Sequence, residues 1–71
     1  MLISGQMLER LRDEILARPM APQETRRIDG MGNLHLSNVS REDAPAVLGE
    51  GYAPMVSLDI RGERYFVYFR V

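Results

Sequence analysis

Hydrophobic and polar positions recur along this chain with two different periods, and each change of period marks a change of element. Over residues 5–18 the period is helical. Met7, Leu8, Leu11 and Ile15 form one stripe, while Glu9, Arg10, Arg12, Asp13 and Glu14 cover the rest of the surface. Ser4 is placed to cap the helix, because its hydroxyl can accept from an amide of the first turn that has no partner within the helix. Ile3 and Leu8 have the spacing of a hydrophobic staple. Glu14 precedes Arg18 by four positions, the favourable orientation for an ion pair. Pro19 stops the helix, since the residue before a proline resists the α region. Residues 19–24, with Pro19 and Pro22, then read as an extended linker.

Beyond the linker the period shortens towards two. Residues 25–39 read as a hairpin of short strands on either side of Gly30-Met31-Gly32-Asn33, with Ile28, Leu34, Leu36 and Val39 on its buried side. Residues 41–48 read as a short helix ended by Gly49. Ser40 and Asp43 resemble a weak capping box. If Ser40 is the cap, however, Pro45 lies too deep in the helix, whereas a start at Asp43 puts the proline in the first turn, where it is tolerated.

Alternation is clearest at the end of the chain, where residues 55–71 predict a β-hairpin with strands at 56–60 and 63–71. Val56, Leu58 and Ile60 alternate with Met55, Ser57 and Asp59; after Arg61-Gly62, Tyr65, Val67, Phe69 and Val71 alternate with Arg64, Phe66, Tyr68 and Arg70. A two-residue loop pairs Ile60 with Glu63, Asp59 with Arg64, Leu58 with Tyr65 and Val56 with Val67. Opposite charges then face each other and apolar faces apolar. An odd-numbered loop would set Asp59 against Tyr65, so the loop is even, of two or four residues. Arg-Gly is not the dipeptide preferred in a type I′ turn, and the turn type stays open.

This register assigns Val56, Leu58, Ile60, Tyr65, Val67 and Phe69 to the core. The other face carries Met55, Phe66 and Tyr68 among Ser57, Arg64 and Arg70, more apolar surface than a wetted sheet face should show. The expected fold is α+β: an N-terminal amphipathic helix packed on an antiparallel sheet of about four strands, in the order α-β-β-(short α)-β-β, within a single domain spanning residues 1–71. Strand order does not follow from the pattern.

Composition narrows the chemistry. A chain of 71 residues hides only about 60% of its unfolded surface on folding, so it needs good packing, a staple or self-association. With no cysteine, neither disulfides nor thiolate zinc sites can supply the staple, and a single histidine rules out an all-histidine metal cage within one chain. Net charge is −1, so no overall basic field draws the protein to nucleic acid or anionic lipid. All nine basic residues are arginine, which fits either a GC-rich bacterial or phage genome or selection for bidentate recognition of phosphate and carboxylate. The first residues lack the basic and apolar regions of a secretory leader, and no apolar run is long enough to span a membrane. The expectation is a cytoplasmic protein.

Candidate chemistry is sparse. His35 lies between Leu34 and Leu36 and points to the opposite face; to act as a general base it would need Asp29 or Ser37 nearby. Glu42 and Asp43 are adjacent and diverge, as in a solvated helix start. Gly30-Met31-Gly32-Asn33 lacks the lysine and the strand–loop–helix context of a phosphate loop and reads as a turn. Among Arg26, Arg27, Arg61, Arg64 and Arg70, the pair Arg64 and Arg70 share a face with Phe66 and Tyr68, an interleaving that can stack bases. The same mixture describes the apolar centre and charged rim of a protein interface. No catalytic, cofactor or metal residue is assigned. The expected function is a non-enzymatic protein-binding module, a small bacterial or phage-encoded inhibitor or adapter of anti-defence type (anti-CRISPR-like), acting by occlusion through Met55, Arg64, Phe66, Tyr68 and Arg70. A homodimer would account for the second apolar face. Nucleotide or nucleic-acid binding on that same face is the alternative.

Overall fold

In the computed structural model, which describes residues 3–71, the elements run α1 (Gly5–Ala17), β1 (Thr25–Arg27), β2 (Leu34–Ser37), α2 (Ala44–Leu48), β3 (Tyr52–Ile60) and β4 (Glu63–Arg70). This is the α+β order that the hydrophobic pattern predicts. Met1 and Leu2, which open the segment judged to lack a leader's pattern, lie outside the described residues.

Helix α1 starts where its cap dictates: the Ser4 hydroxyl accepts from the Met7 amide at 3.1 Å. Ile3 packs against the same cluster as Leu8, as a staple should. The helix closes with the Arg18 amide on the Glu14 carbonyl, and its last carbonyls are met from outside. Arg26 of β1 donates to the carbonyl oxygens of the C-cap Arg18 (2.8 Å) and of Pro19 just past it (3.1 Å), supplying donors that the helix end itself lacks. The Arg26 guanidinium also pairs with Glu24 and lies 3.6 Å from Glu14. An arginine on the inner face of an edge strand thus ties the end of α1 to the sheet.

The four strands form one antiparallel sheet in the order β1-β2-β4-β3. Leu36 lies opposite Val67, and both are fully enclosed; each contributes roughly 1.5–3 kcal/mol by burial. The β3–β4 hairpin has the two-residue loop and the register expected, with Ile60 opposite Glu63, Asp59 opposite Arg64, Leu58 opposite Tyr65 and Val56 opposite Val67. Arg61 (φ 52°) and Gly62 (φ 81°) both take positive φ, which makes the turn type I′ despite its arginine.

Three elements differ by more than one residue from the sequence expectation. The first hairpin pairs only Thr25–Arg27 with residues 35–37, because Asp29 spends its carboxylate on the turn and ends the ladder early. The second helix begins at Ala44, with Pro45 in its first turn, while Ser40 caps the preceding turn at the Asp43 amide (3.3 Å). The third strand begins at Tyr52 instead of 56. Pro54 does not stop it, because an edge strand tolerates a residue with no N–H to give.

One core lies on each side of the sheet. Leu11 and Ile15 of α1 close over Leu34, Leu36, Leu58, Ile60, Tyr65 and Val67, with Met20 of the linker filling the corner. On the other side Val39, Ala44 and Tyr68 form a second cluster, flanked by Val47, Leu48, Tyr52 and Phe66. Val39 therefore belongs to this second core and not, as expected, with Leu34 and Leu36. Because β4 separates β2 from β3, the β2–β3 connection must cross a face of the sheet, and α2 is carried over Tyr68.

Candidate functional site

The five residues expected to form a partner face do not lie together on one open face of the sheet. The correction for Tyr68 comes from α2. The ring is on the outer face as alternation requires, but its exposure is 0%, and its hydroxyl donates to the Val39 carbonyl at 2.7 Å. Burial raises the Tyr68 pKa above the ordinary tyrosine value; nearby Arg41 opposes that rise and Glu42 adds to it. Phe66 leans on Tyr68 at 5.8 Å between ring centroids and is half-buried in the same cluster.

The correction for Met55 comes from a β-bulge. The pairing slips between Pro54 and Val56, so Met55 is the extra residue of β3. One inserted residue reverses the alternation, and Met55 packs with the α1-side core beside Val56 and Phe69. Arg64 is exposed and pairs with equally exposed Asp59 at 3.0 Å, a contact worth at most about 1 kcal/mol. Arg70 lies at the far end of β4, its guanidinium 5.4 Å from the Tyr52 ring centre and donating to the Tyr52 hydroxyl. The open plane of alternating arginine and aromatic rings that base stacking would need is not assembled from these residues.

His35 also departs from the chemistry considered for it. Its Nε2–H donates to the Gly32 carbonyl at 3.0 Å, and its ring meets Tyr52 edge-on at 5.1 Å. Nδ1 is buried with no protein partner among the described residues. Ser37, fully buried, donates to the Glu24 carbonyl and accepts from the Val39 amide. Asp29 accepts from the amides of Met31 (2.6 Å) and Asn33 (3.3 Å). Each polar group of the proposed trio is committed to backbone, and they do not form a relay.

The bonds of Asp29 and His35 converge on the β1–β2 turn. Asp29 holds the turn from inside. The Gly32 carbonyl accepts from both His35 and the Tyr52 hydroxyl, the latter at 2.7 Å. Arg70 braces Tyr52, and its own amide donates to the Asn33 carbonyl. At the apex of this fixed turn stands Met31, 84% exposed. Val71, 76% exposed, lies at the same end of the sheet, tied there by its amide on the Gly51 carbonyl. Beside them opens a depression of about 440 Å³ bounded by Leu34, Met55 and Phe69, with Asn33 and Arg70 on its rim. The sequence signal for this end was a large apolar residue between two glycines, where a solvated turn needs none.

No protein-family model matches the chain, and no curated protein or solved structure shows significant similarity to it. The reading of the site therefore rests on its own geometry. Among the described residues no three His, Asp or Glu side chains gather as metal ligands would, and no helix is long and apolar enough to cross a membrane.

Proposed function

We propose that this chain is a non-enzymatic protein-binding module of the small inhibitor or adapter kind, acting by covering a surface of its partner, and that contact runs through the end of the sheet that presents Met31. A single exposed apolar side chain means little on its own. The observation that carries this reading is the bracing of Met31. Asp29, His35, Tyr52 and Arg70 all spend hydrogen bonds or packing on the turn beneath it. Fixing the backbone before binding lowers the ordering cost of association, so a rigidly displayed methionine suits recognition better than a mobile one. Thioether side chains adapt to irregular apolar surfaces, and the arginine and tyrosine alongside are residue types that dominate interface energetics.

The test places a photo-crosslinking amino acid (p-benzoylphenylalanine) at position 31 and, as a control, at the exposed helix position Arg12, in cells making the protein. A discrete covalent adduct from position 31 that the control does not give supports the reading. Equal, diffuse labelling from both positions refutes it.

A further inference from the structure

The sheet has one long open edge, and only half of it is blunted. β3 runs nine residues along that edge. Over residues 52–55 pairing is obstructed, because Pro54 has no N–H to offer and the bulge at Met55 breaks the ladder. Over residues 56–60 neither device is present. A two-residue loop makes Ile60 and Glu63 a hydrogen-bonded pair, so Ile60, Leu58 and Val56 turn their amides and carbonyls towards β4. Ser57 and Asp59 then turn theirs outward. The end of β4 fixes the same phase: the Arg70 amide donates to the Asn33 carbonyl on the β2 side, and the Val71 amide to the Gly51 carbonyl on the β3 side. Both Ser57 and Asp59 are exposed. The Asp59 carboxylate, the one charge that could guard this stretch, is paired with Arg64 of its own chain.

We propose that a second copy of this chain covers this edge, the two β3 strands pairing antiparallel about a two-fold axis through Leu58. Such a pair has few registers to choose from. Ser57 opposite Ser57 leaves Asp59 facing Met55, the bulged residue. Asp59 opposite Asp59 sets like charges together and leaves Ser57 facing Arg61 of the turn. Ser57 opposite Asp59 completes two hydrogen-bonded pairs at once, four backbone bonds in all. It also gives each Asp59 carboxylate the Ser57 hydroxyl of the other copy. The α1 face favours the same register. Val56 of the second copy, half-buried in the single chain, lies opposite Ile60 on the face where α1 leaves Leu16, beside Ile60, 40% exposed. A foreign strand would meet the same backbone groups without this match of side chains.

Length sets the strength. Pairing limited to residues 56–60 covers on the order of a few hundred Å² per copy, the range of weak and reversible interfaces. Pro54 and the bulge keep it from spreading along the rest of the edge, so the pair closes as a dimer. The Met31 turn lies at the other end of the sheet. The dimer therefore leaves both Met31 ends free and pointing in opposite directions, and it does not depend on the contact proposed for them.

The experiment is sedimentation equilibrium up to millimolar concentration, with isotope-filtered nuclear magnetic resonance on mixed ¹³C-labelled and unlabelled chains to read the register. The expected result is a concentration-dependent dimer with an intermolecular contact between the Hα atoms of Val56 and Ile60. Within one chain these atoms are about 13 Å apart along the strand, so the contact can arise only between copies. Two substitutions at exposed position 57 read the side-chain match. Ser57→Asp sets a carboxylate against Asp59 twice over and should weaken the dimer about fivefold, whereas Ser57→Lys should tighten it by about as much. If one change disturbs the amide spectrum of the sheet, the other decides, and no shift or a shift of the wrong sign overturns the proposal. A chain that stays monomeric at millimolar concentration overturns it too, including one that captures only a foreign strand, as does a dimer without the Val56–Ile60 contact. The crosslink at position 31 reads the opposite end of the sheet, so the two proposals fail separately.

Discussion

Removing the Tyr68 hydroxyl tests whether α2 is the permanent cover of the sheet's second face. Tyr68 is fully enclosed, and its hydroxyl meets the carbonyl of Val39, itself buried. Tyr68→Phe keeps the ring and strands that carbonyl in an apolar cluster, a loss of about 1–3 kcal/mol. Tyr68→Ala also removes the ring and leaves a cavity, so it falls at the upper end of the roughly 3–5 kcal/mol typical of buried aromatics. A chain of this length has a total stability of roughly 4–11 kcal/mol. The first change is therefore a sizeable fraction of the whole, and the second about half of it or more. With a urea dependence of about 1 kcal/mol/M for a domain this small, Tyr68→Phe should lower the unfolding midpoint by at least about 1 M. Amide exchange should accelerate first between residues 39 and 48, the segment that the hydroxyl holds to the sheet. If Tyr68→Phe leaves the midpoint unmoved, the hydroxyl is not buried against Val39. If Tyr68→Ala leaves the fold intact and abolishes association instead, this face belongs to a partner and α2 is not its cover.

Other substitutions read other parts of the same design. Arg26→Leu should cost about 1.5–3 kcal/mol, because the carbonyls of Arg18 and Pro19 lose the charged donor they share; Arg26→Lys should recover little, since an ammonium lacks the planar fork, and urea titration distinguishes the two. Acid stability should depend on Glu24, whose carboxyl is held below the usual range by the Arg26 guanidinium and then by the Ala21 amide. That contribution is complete above the ordinary glutamate pKa of about 4.3 and disappears as pH falls through the lower folded value, so Glu24→Gln should flatten the acid limb of a stability–pH curve. Tyr65, raised by its hydrogen bond to the Glu63 carboxylate and by burial, and Tyr68, raised by burial, act at the opposite end. Their stabilisation is present below the ordinary tyrosine pKa of about 10 and lost as pH climbs through the higher folded values, which tyrosinate absorbance should track. Arg61→Asn should stabilise the β3–β4 turn by about 0.5–1 kcal/mol, because asparagine tolerates the positive φ better than arginine, while Gly62→Ala should destabilise it by at least as much; thermal unfolding of both checks the sign. Pro54→Val should leave the monomer folded and promote edge-to-edge aggregation by restoring an N–H to the open β3 strand, and light scattering reads the result.

The parts of the fold legible in the sequence are those fixed by neighbours in the chain. Ser4 and Pro19 mark the limits of α1 because capping and proline sterics act within a few residues. The β3–β4 register is legible because Asp59 and Arg64 leave only even loops free of mismatched pairs. What could not be read depends on a single inserted residue or on distant topology. The bulge at Met55 changes no local preference, yet it reverses every side chain before it, moving Met55 from the supposed partner face into the α1 core. The cover over Tyr68 follows from strand order, which no local pattern encodes. Arg26 was within reach of the reading. It stands two residues from Ile28 on an edge strand and so shares the core face, and an arginine there requires partners.

The polar residues that first suggested chemistry account for much of how the shape is kept. His35, Ser37, Asp29, Tyr52 and Tyr68 each direct a hydrogen bond at backbone, and Arg26 holds the end of α1. A chain of 71 residues with no cysteine cannot cross-link itself, and its cores, one on each face of a four-stranded sheet, are small. Side chains anchored on main chain make up part of that shortfall, since each buried carbonyl or amide left unmet would cost about 1–3 kcal/mol. At the Met31 end the anchoring exceeds what the local fold requires. A turn between two short strands would close with Asp29 alone, yet His35, Tyr52 and Arg70 are also drawn in. That surplus of constraint beneath an exposed apolar residue is the physical argument for placing the proposed contact there, and not on the face of Tyr68.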